Sequence, residues 1–208
     1  MKDCTVLVNS CDKYEDLWNP FFTLFKKYWP TCSYDIILNT EQKKYQFNGL
    51  DIKTYAMSDP TEKWGERFLK HLSKVDTEYV MVLLDDFFFR DYVREDRLNS
   101  CVEAMNKDKS ITCFSFCYVD DENNRPCEYE GFEQRPQKGD YRFNLQAALW
   151  RTKDLISYIF PEETPWEWEE EGNIRSYVVD KNFYVTKHGY FVLNYGLNAE
   201  GKGVFRGK

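Results

Sequence analysis

Between residues 79 and 84 the chain reads Tyr79-Val80-Met81-Val82-Leu83-Leu84, an apolar run with no alternation, and it stops on two adjacent carboxylates, Asp85 and Asp86. A strand that is apolar at every position is covered on both faces, which makes it the centre of a sheet with helices packed above and below. The run is also far shorter than the ~20 residues that cross a bilayer, so no membrane span is expected. In open α/β sheets the crevice beyond the strand carboxyl ends receives the ligand. Asp85 and Asp86 therefore mark where a site would lie, and Asn9 to Asp12, which follow another strand pattern, would converge on it.

The segments around this run alternate β-rich stretches with helical patterns, as crossover helices require. Thr5–Val8 is the predicted first strand. Leu17, Trp18, Phe21, Phe22, Leu24, Phe25, Tyr28 and Trp29 then recur at three- and four-residue intervals, the apolar face of a helix. Pro20 is tolerated near a helix start, so this helix is expected to begin at Trp18 or Asn19, and Pro30 ends it. Strands are expected at Tyr34–Leu38, Asp51–Tyr55 and Ile111–Tyr118, and helices at Trp64–Leu72 and from Asp96 to about Lys107. Residues 120–140 form a polar excursion read as a long loop over the site. Arg142–Trp150 resumes order, Asp154–Ile159 is a short helix, and Phe183–Val185 and Tyr190–Asn194 are late strands. No repeat or linker divides the 208 residues, so one α/β domain is expected over 1–208.

Composition narrows the partners. Aromatic residues make up 18% of the chain, and at roughly 150–250 Å² buried per ring a core is easily built. Lys and Arg number 28 against 35 Asp and Glu, a net charge of −7. That sign does not suit a nucleic-acid backbone. The N-terminus lacks a signal-peptide pattern, so the mature protein is expected to start at Met1. The seven cysteines are odd in number and accompany no Asn-x-Ser/Thr acceptor, which points to reduced cytosolic thiols. Cys113, Cys117 and Cys127 match no standard zinc spacing.

Candidate chemistry sits in two acidic clusters. Adjacent carboxylates at Asp85 and Asp86 repel unless a metal or a donor shares their charge; pairing with Arg90, Arg94 or Arg97 is the plainer alternative. Pro165-Trp166-Glu167-Trp168-Glu169-Glu170-Glu171-Gly172 interleaves acids with indoles. It reads either as a solvated helix N-terminus or as carboxyls whose pKa is raised beside indole, suited to act as a general base for an alcohol. His188 is either a metal ligand or structural. The turn after the first strand, Asn9-Ser10-Cys11-Asp12-Lys13, has no glycines for a dinucleotide pyrophosphate, and it lacks the basic, glycine-rich loop of a nucleotidyltransferase. Gly196 to Gly203 imitates a phosphate loop, but Gly203 stands where Ser or Thr is required.

Asn9-Ser10-Cys11-Asp12-Lys13-Tyr14, Trp64-x-x-Arg67, Leu83-Leu84-Asp85-Asp86-Phe87-Phe88, Asn144-Leu145-Gln146-Ala147-Ala148-Leu149-Trp150 and Pro165-Trp166-Glu167-Trp168-Glu169 together resemble bacterial glycosyltransferases of the GT-A fold that serve surface-polysaccharide biosynthesis. The resemblance implies a GT-A-like (Rossmann-like) α/β fold, with a mixed, mainly parallel sheet flanked by helices. It implies transfer of a sugar from a nucleotide-sugar donor to a hydroxyl of a glycan or lipid-linked saccharide acceptor, with inversion. The work would be done in the cytoplasm or peripherally at the inner face of the membrane.

By the same resemblance the donor side would be Asn9, Ser10, Asp12, Arg67, Asp85 and Asp86. Glu167 would be the catalytic base, with Glu169 second, and Gln146, Trp150 and Trp166 would line the acceptor side. The acidic motif of the family ends in a second Asp, where this chain has Phe87. A divalent metal, Mn²⁺ or Mg²⁺, would be held by Asp86 and His188. The rival expectation is a relative that keeps the fold and a sugar- or nucleotide-binding site as a scaffold without turnover.

Overall fold

The computed structural model describes residues 3–196. Nine strands form one sheet among the described residues: β1 Cys4–Asn9, β2 Asp35–Leu38, β3 Ile52–Lys53, β4 Tyr79–Leu84, β5 Ile111–Tyr118, β6 Arg125–Pro126, β7 Phe132–Gln134, β8 Ala148–Arg151 and β9 Asn182–Thr186. The helices are α1 Glu15–Tyr28, α2 Trp64–Leu72, α3 Glu95–Lys107, α4 Thr152–Tyr158 and α5 Pro165–Ser176. Spatial order across the sheet is β3-β2-β1-β4-β8-β5-β9-β7-β6. Strands β3, β2, β1 and β4 run parallel. Strand β8 enters antiparallel between β4 and β5, β9 lies parallel to β5, and β7 and β6 continue antiparallel at the edge.

The unbroken apolar run is β4, buried from Tyr79 through Leu83. Because successive side chains point to opposite faces, Tyr79, Met81 and Leu83 join one apolar layer with α1 and α3, while Val80 and Val82 join the other with α2, α4 and α5. The same alternation splits β1, where Val6 and Val8 face the first layer and Leu7 the second.

Four expectations are corrected. Helix α1 starts at Glu15, after a 3-10 turn at Asp12–Tyr14, so Pro20 lies inside it. The lost backbone donor is tolerated because Pro20 is exposed, while Trp18, Phe21, Phe22 and Phe25 fasten the opposite face. The polar excursion is not a bare loop: β6 and β7 lie within it and extend the sheet from β9. The third strand shrinks to Ile52–Lys53. Tyr190–Asn194 is not a strand of the sheet; its backbone runs instead beside the segment after β4, with Arg90 N–H donating to the Asn194 carbonyl at 2.8 Å and Arg94 N–H to that of Val192 at 3.0 Å.

All seven cysteines are free thiols. No helix among the described residues is long and apolar enough to cross a membrane. The phosphate-loop imitation, apart from Gly196, lies outside the described residues.

Candidate active site

The chain leaves β1 toward β2 on one side and later returns to β4 on the other, so the strand order reverses between β1 and β4. A crevice opens beyond their carboxyl ends for that reason. Ser10, just after β1, donates its hydroxyl to Oδ2 of Asp85, just after β4. The indole Nε1 of Trp18 in turn donates to Ser10 Oγ at 2.7 Å. Asp85 is 6% exposed, and burial pushes its carboxyl up to about 7, opposed by the Ser10 bond and assisted by the charge of Asp86. Burial raises Asp86 as well, and its Oδ1 is buried with no hydrogen-bond partner among the described residues. Burial thus biases both carboxyls toward the protonated form until a cation or donor reaches them.

The rest of the donor-side set is tied together by a residue the sequence reading missed. Glu41, buried just beyond β2, accepts the backbone N–H of Asp12 and pairs with the Arg67 guanidinium. The Asp12 carboxylate is committed to the turn behind it, accepting N–H groups of Glu41, Gln42 and Lys43 at 3.0, 3.0 and 3.1 Å. Asp12 therefore shapes the loop, and its carboxylate is not turned to a ligand. Asn9 Oδ1 accepts from Asn39 Nδ2 at 2.6 Å. An acid three residues past a strand end was the available signal for Glu41.

Strand β8 runs antiparallel to β4, so the residues that precede it, Leu145 and Gln146, lie at the end of the sheet where β4 reaches Leu84. Gln146 Oε1 accepts the Tyr195 hydroxyl at 3.0 Å. The Tyr195 ring stacks on Phe87 with centroids 4.5 Å apart, next in sequence to Asp86. Leu145 N–H donates to Glu169 Oε1 at 2.7 Å. Asp86, Phe87, Tyr195, Gln146, Leu145 and Glu169 thus form one chain of neighbours at this end of the sheet, running through the buried rings of Phe87 and Tyr195. Burial raises the Glu169 carboxyl, against the pull of the Leu145 N–H.

Three other expected site residues are used differently. Glu167 closes a capping box: its carboxylate accepts Thr164 N–H at 2.7 Å while Thr164 Oγ1 accepts Glu167 N–H at 3.2 Å. That bonding holds the exposed Glu167 carboxyl below its ordinary range, the wrong direction for a base. Trp150 is 2% exposed, packed against Trp168, Phe143 and Phe183 in the core, and lines nothing. His188 is exposed after β9, its ring edge-on to Tyr118 at 5.3 Å. Three strand spacings separate β9 from β4, roughly 14 Å, so His188 does not stand beside Asp86. Among the described residues no group of three His, Cys, Asp or Glu side chains gathers as a metal site. Trp166, by contrast, is 71% exposed on the first turn of α5.

Neither a protein-family profile nor a curated protein matches the sequence. Among solved structures the chain is similar to TarS of S. aureus, at 16% identity and a TM-score of 0.62 over 92% of this chain and 36% of that one. Residues 1–349 of TarS in complex with UDP match at 14% identity and TM-score 0.61, covering 92% and 59%. The UDP-GlcNAc complex matches at 14% and 0.52, covering 92% and 60%. This chain spans about a third of TarS and three-fifths of that shorter piece. The likeness is one of fold: a GT-A-like α/β architecture with a mixed, mainly parallel sheet between two helical layers.

Proposed function

We propose that this chain transfers a sugar from a nucleotide-activated donor to a hydroxyl of a glycan or lipid-linked acceptor. One observation carries the reading: Asp85 and Asp86, 83 or more positions from Glu169 in sequence, reach the same end of the sheet, joined through Tyr195 and Gln146. Ser10, Asp85 and Asp86 face the donor diphosphate, Arg67 stands behind them on Glu41, and Asn9 fixes the crevice wall. Glu169 is the base. It takes the acceptor proton as that oxygen attacks the anomeric carbon, the bond to the diphosphate breaks, and configuration inverts. Gln146 and the exposed indole of Trp166 meet the acceptor.

Asp86, with Asp85 beside it, would hold a divalent cation, Mg²⁺ or Mn²⁺, and the buried, unpartnered Oδ1 suits such a hard ion. The ion would supply neutralising charge for the departing diphosphate. The likeness to TarS, solved with UDP and UDP-GlcNAc, makes a uridine diphosphate sugar the first donor to try.

The test is calorimetric titration with UDP-, GDP- and CMP-sugars, with and without Mn²⁺, followed by transfer assays on the Glu169→Gln variant. Donor binding retained with transfer lost supports the assignment; turnover unchanged removes Glu169 from the role. A second reading, a scaffold that binds without turnover, is favoured by Phe87: the third position of the acidic motif is a fully buried ring. Nucleotide-sugar binding by the wild-type chain with no transfer to any acceptor would support it.

A further inference from the structure

Helix α3 and the turn between β6 and β7 flank an open hollow of about 420 Å³ that includes none of the residues placed beyond β1 and β4. Its floor is Phe114 and Phe132, both buried, and its walls are the rings of Tyr129 and Tyr190. The wall is closely built. Gly131 has φ +77°, and a Cβ there would lie 2.3 Å from the Tyr190 ring, so glycine lets the turn close against that ring.

Charge on the rim is one-sided. Asp96 comes from α3 and Glu128 and Glu130 from the turn, all exposed, and among the described residues none of them enters an ion pair. Arg97 is the cation among the lining residues, and it is already engaged. Its guanidinium lies over the Tyr190 ring at 4.0 Å and its NH1 donates to the Phe191 carbonyl at 2.7 Å. A second hollow of about 320 Å³ shares Ser100, Glu128 and Tyr129 and continues along α3 past Glu103 to Lys107 and Asp108, so acids outnumber cations along its length as well. The result is an elongated groove rather than a dimple.

Aromatic faces beside an excess of carboxylates, here three against the one guanidinium of Arg97, attract an organic cation, because the ring quadrupole and the net formal charge act with the same sign. A phosphate would be repelled, and a neutral sugar would use the rings while leaving the charge unanswered. We propose that the groove between α3 and residues 128–132 binds a primary ammonium group carried on a ring or short chain that packs on Tyr129. That chemistry belongs to amino-sugar units and to polyamines. The site goes beyond the sugar-transfer reading and does not depend on it.

The test is calorimetric titration of the full chain with three probes: the disaccharide of glucosamine with free amines, its N-acetylated counterpart, and spermidine. At least one ammonium probe is expected to bind, and the acetylated sugar at least about tenfold more weakly. Spermidine alone binding points to a polyamine, and the free-amine disaccharide binding more tightly points to an amino sugar. The Glu128→Gln, Glu130→Gln double variant changes only exposed side chains and should weaken binding about tenfold or more with an unaltered melting temperature. Asp96→Asn, on the opposite wall, provides an independent variant with the same expectation. The proposal falls if the acetylated sugar binds equally well, if no probe binds, or if binding survives both variants. Nucleotide-sugar binding measured in parallel keeps the two sites apart, since loss of one leaves the other readable.

Discussion

The Tyr195 hydroxyl donates to Gln146 Oε1 at 3.0 Å while its ring lies on Phe87, so one buried side chain spans from the segment after β4 to the segment before β8. Those two segments carry the acid pair on one side and the anchor of Glu169 on the other. Tyr195 itself is held by the backbone around it: residue 89 bridges to residue 195, and Gly196 N–H donates to the Phe88 carbonyl at 3.2 Å. Tyr195 therefore ties these two segments together.

Tyr195→Phe keeps the ring stack and removes only the hydroxyl, leaving Gln146 Oε1 without its donor. Losing this bond at a half-buried acceptor costs about 0.5–1.5 kcal/mol, measurable by urea unfolding. On the sugar-transfer reading, acceptor KM should rise roughly tenfold, as 1.4 kcal/mol of lost positioning implies, while donor affinity stays near wild type. An unchanged KM with the full stability loss would reduce Tyr195 to a packing residue.

Glu169→Gln and Glu167→Gln separate the two acids of α5. The first removes a half-buried carboxyl with a raised pKa and is expected to slow transfer on the order of 10²–10⁴-fold with donor binding retained. The second keeps a side chain that can close the capping box but removes the charge that complements the helix N-terminus, and should cost about 0.3–1 kcal/mol in a thermal melt, with transfer little changed. Reversal of the two outcomes would return the base to Glu167.

Trp150 and Trp166 should differ just as sharply. Trp150→Ala empties a core site between Trp168 and Phe183 and is expected to destabilise by about 3–5 kcal/mol, while Trp166→Ala on an exposed helix turn should leave the melting temperature nearly unmoved. Only the second is a clean probe of acceptor affinity.

The fold was legible wherever a segment had one dominant period. Residues 79–84 announce a central strand because nothing in them faces water, and the three- and four-residue aromatic spacing of α1 survives the proline that displaces its predicted start. Strand β8 was harder, because four residues entering antiparallel between β4 and β5 have no local signal for their direction. The acid pair at 85–86 was legible as an electrostatic anomaly at a strand end. Glu41 was not, since its importance comes from reaching both Asp12 and Arg67 across the turn after β2. Glu167 reads first as a base, whereas Thr164-Pro165-Trp166-Glu167 also spells the capping box that the structure forms.

Asp85 supplies the pH dependence, and its sign follows from the direction of its shift. Burial raises the folded-state pKa to about 7, well above the ordinary aspartate value of about 4, so the folded chain holds a proton that the unfolded chain releases. Between those values the folded state binds more protons, and stability falls as pH rises from about 4 to about 7, then levels off. Asp85→Asn keeps an oxygen that can accept the Ser10 hydroxyl and removes the buried charge. It should leave stability unchanged near pH 4 and raise it by up to about 4 kcal/mol at pH 8, read from urea midpoints at the two pH values. Mn²⁺ should stabilise the wild-type chain at pH 8 and have less effect on the variant, because a cation can offset only a charge that is there. A variant less stable than wild type at pH 8 would mean that the Asp85 charge is already compensated within the fold, and the crevice would lose its claim to be waiting for a ligand.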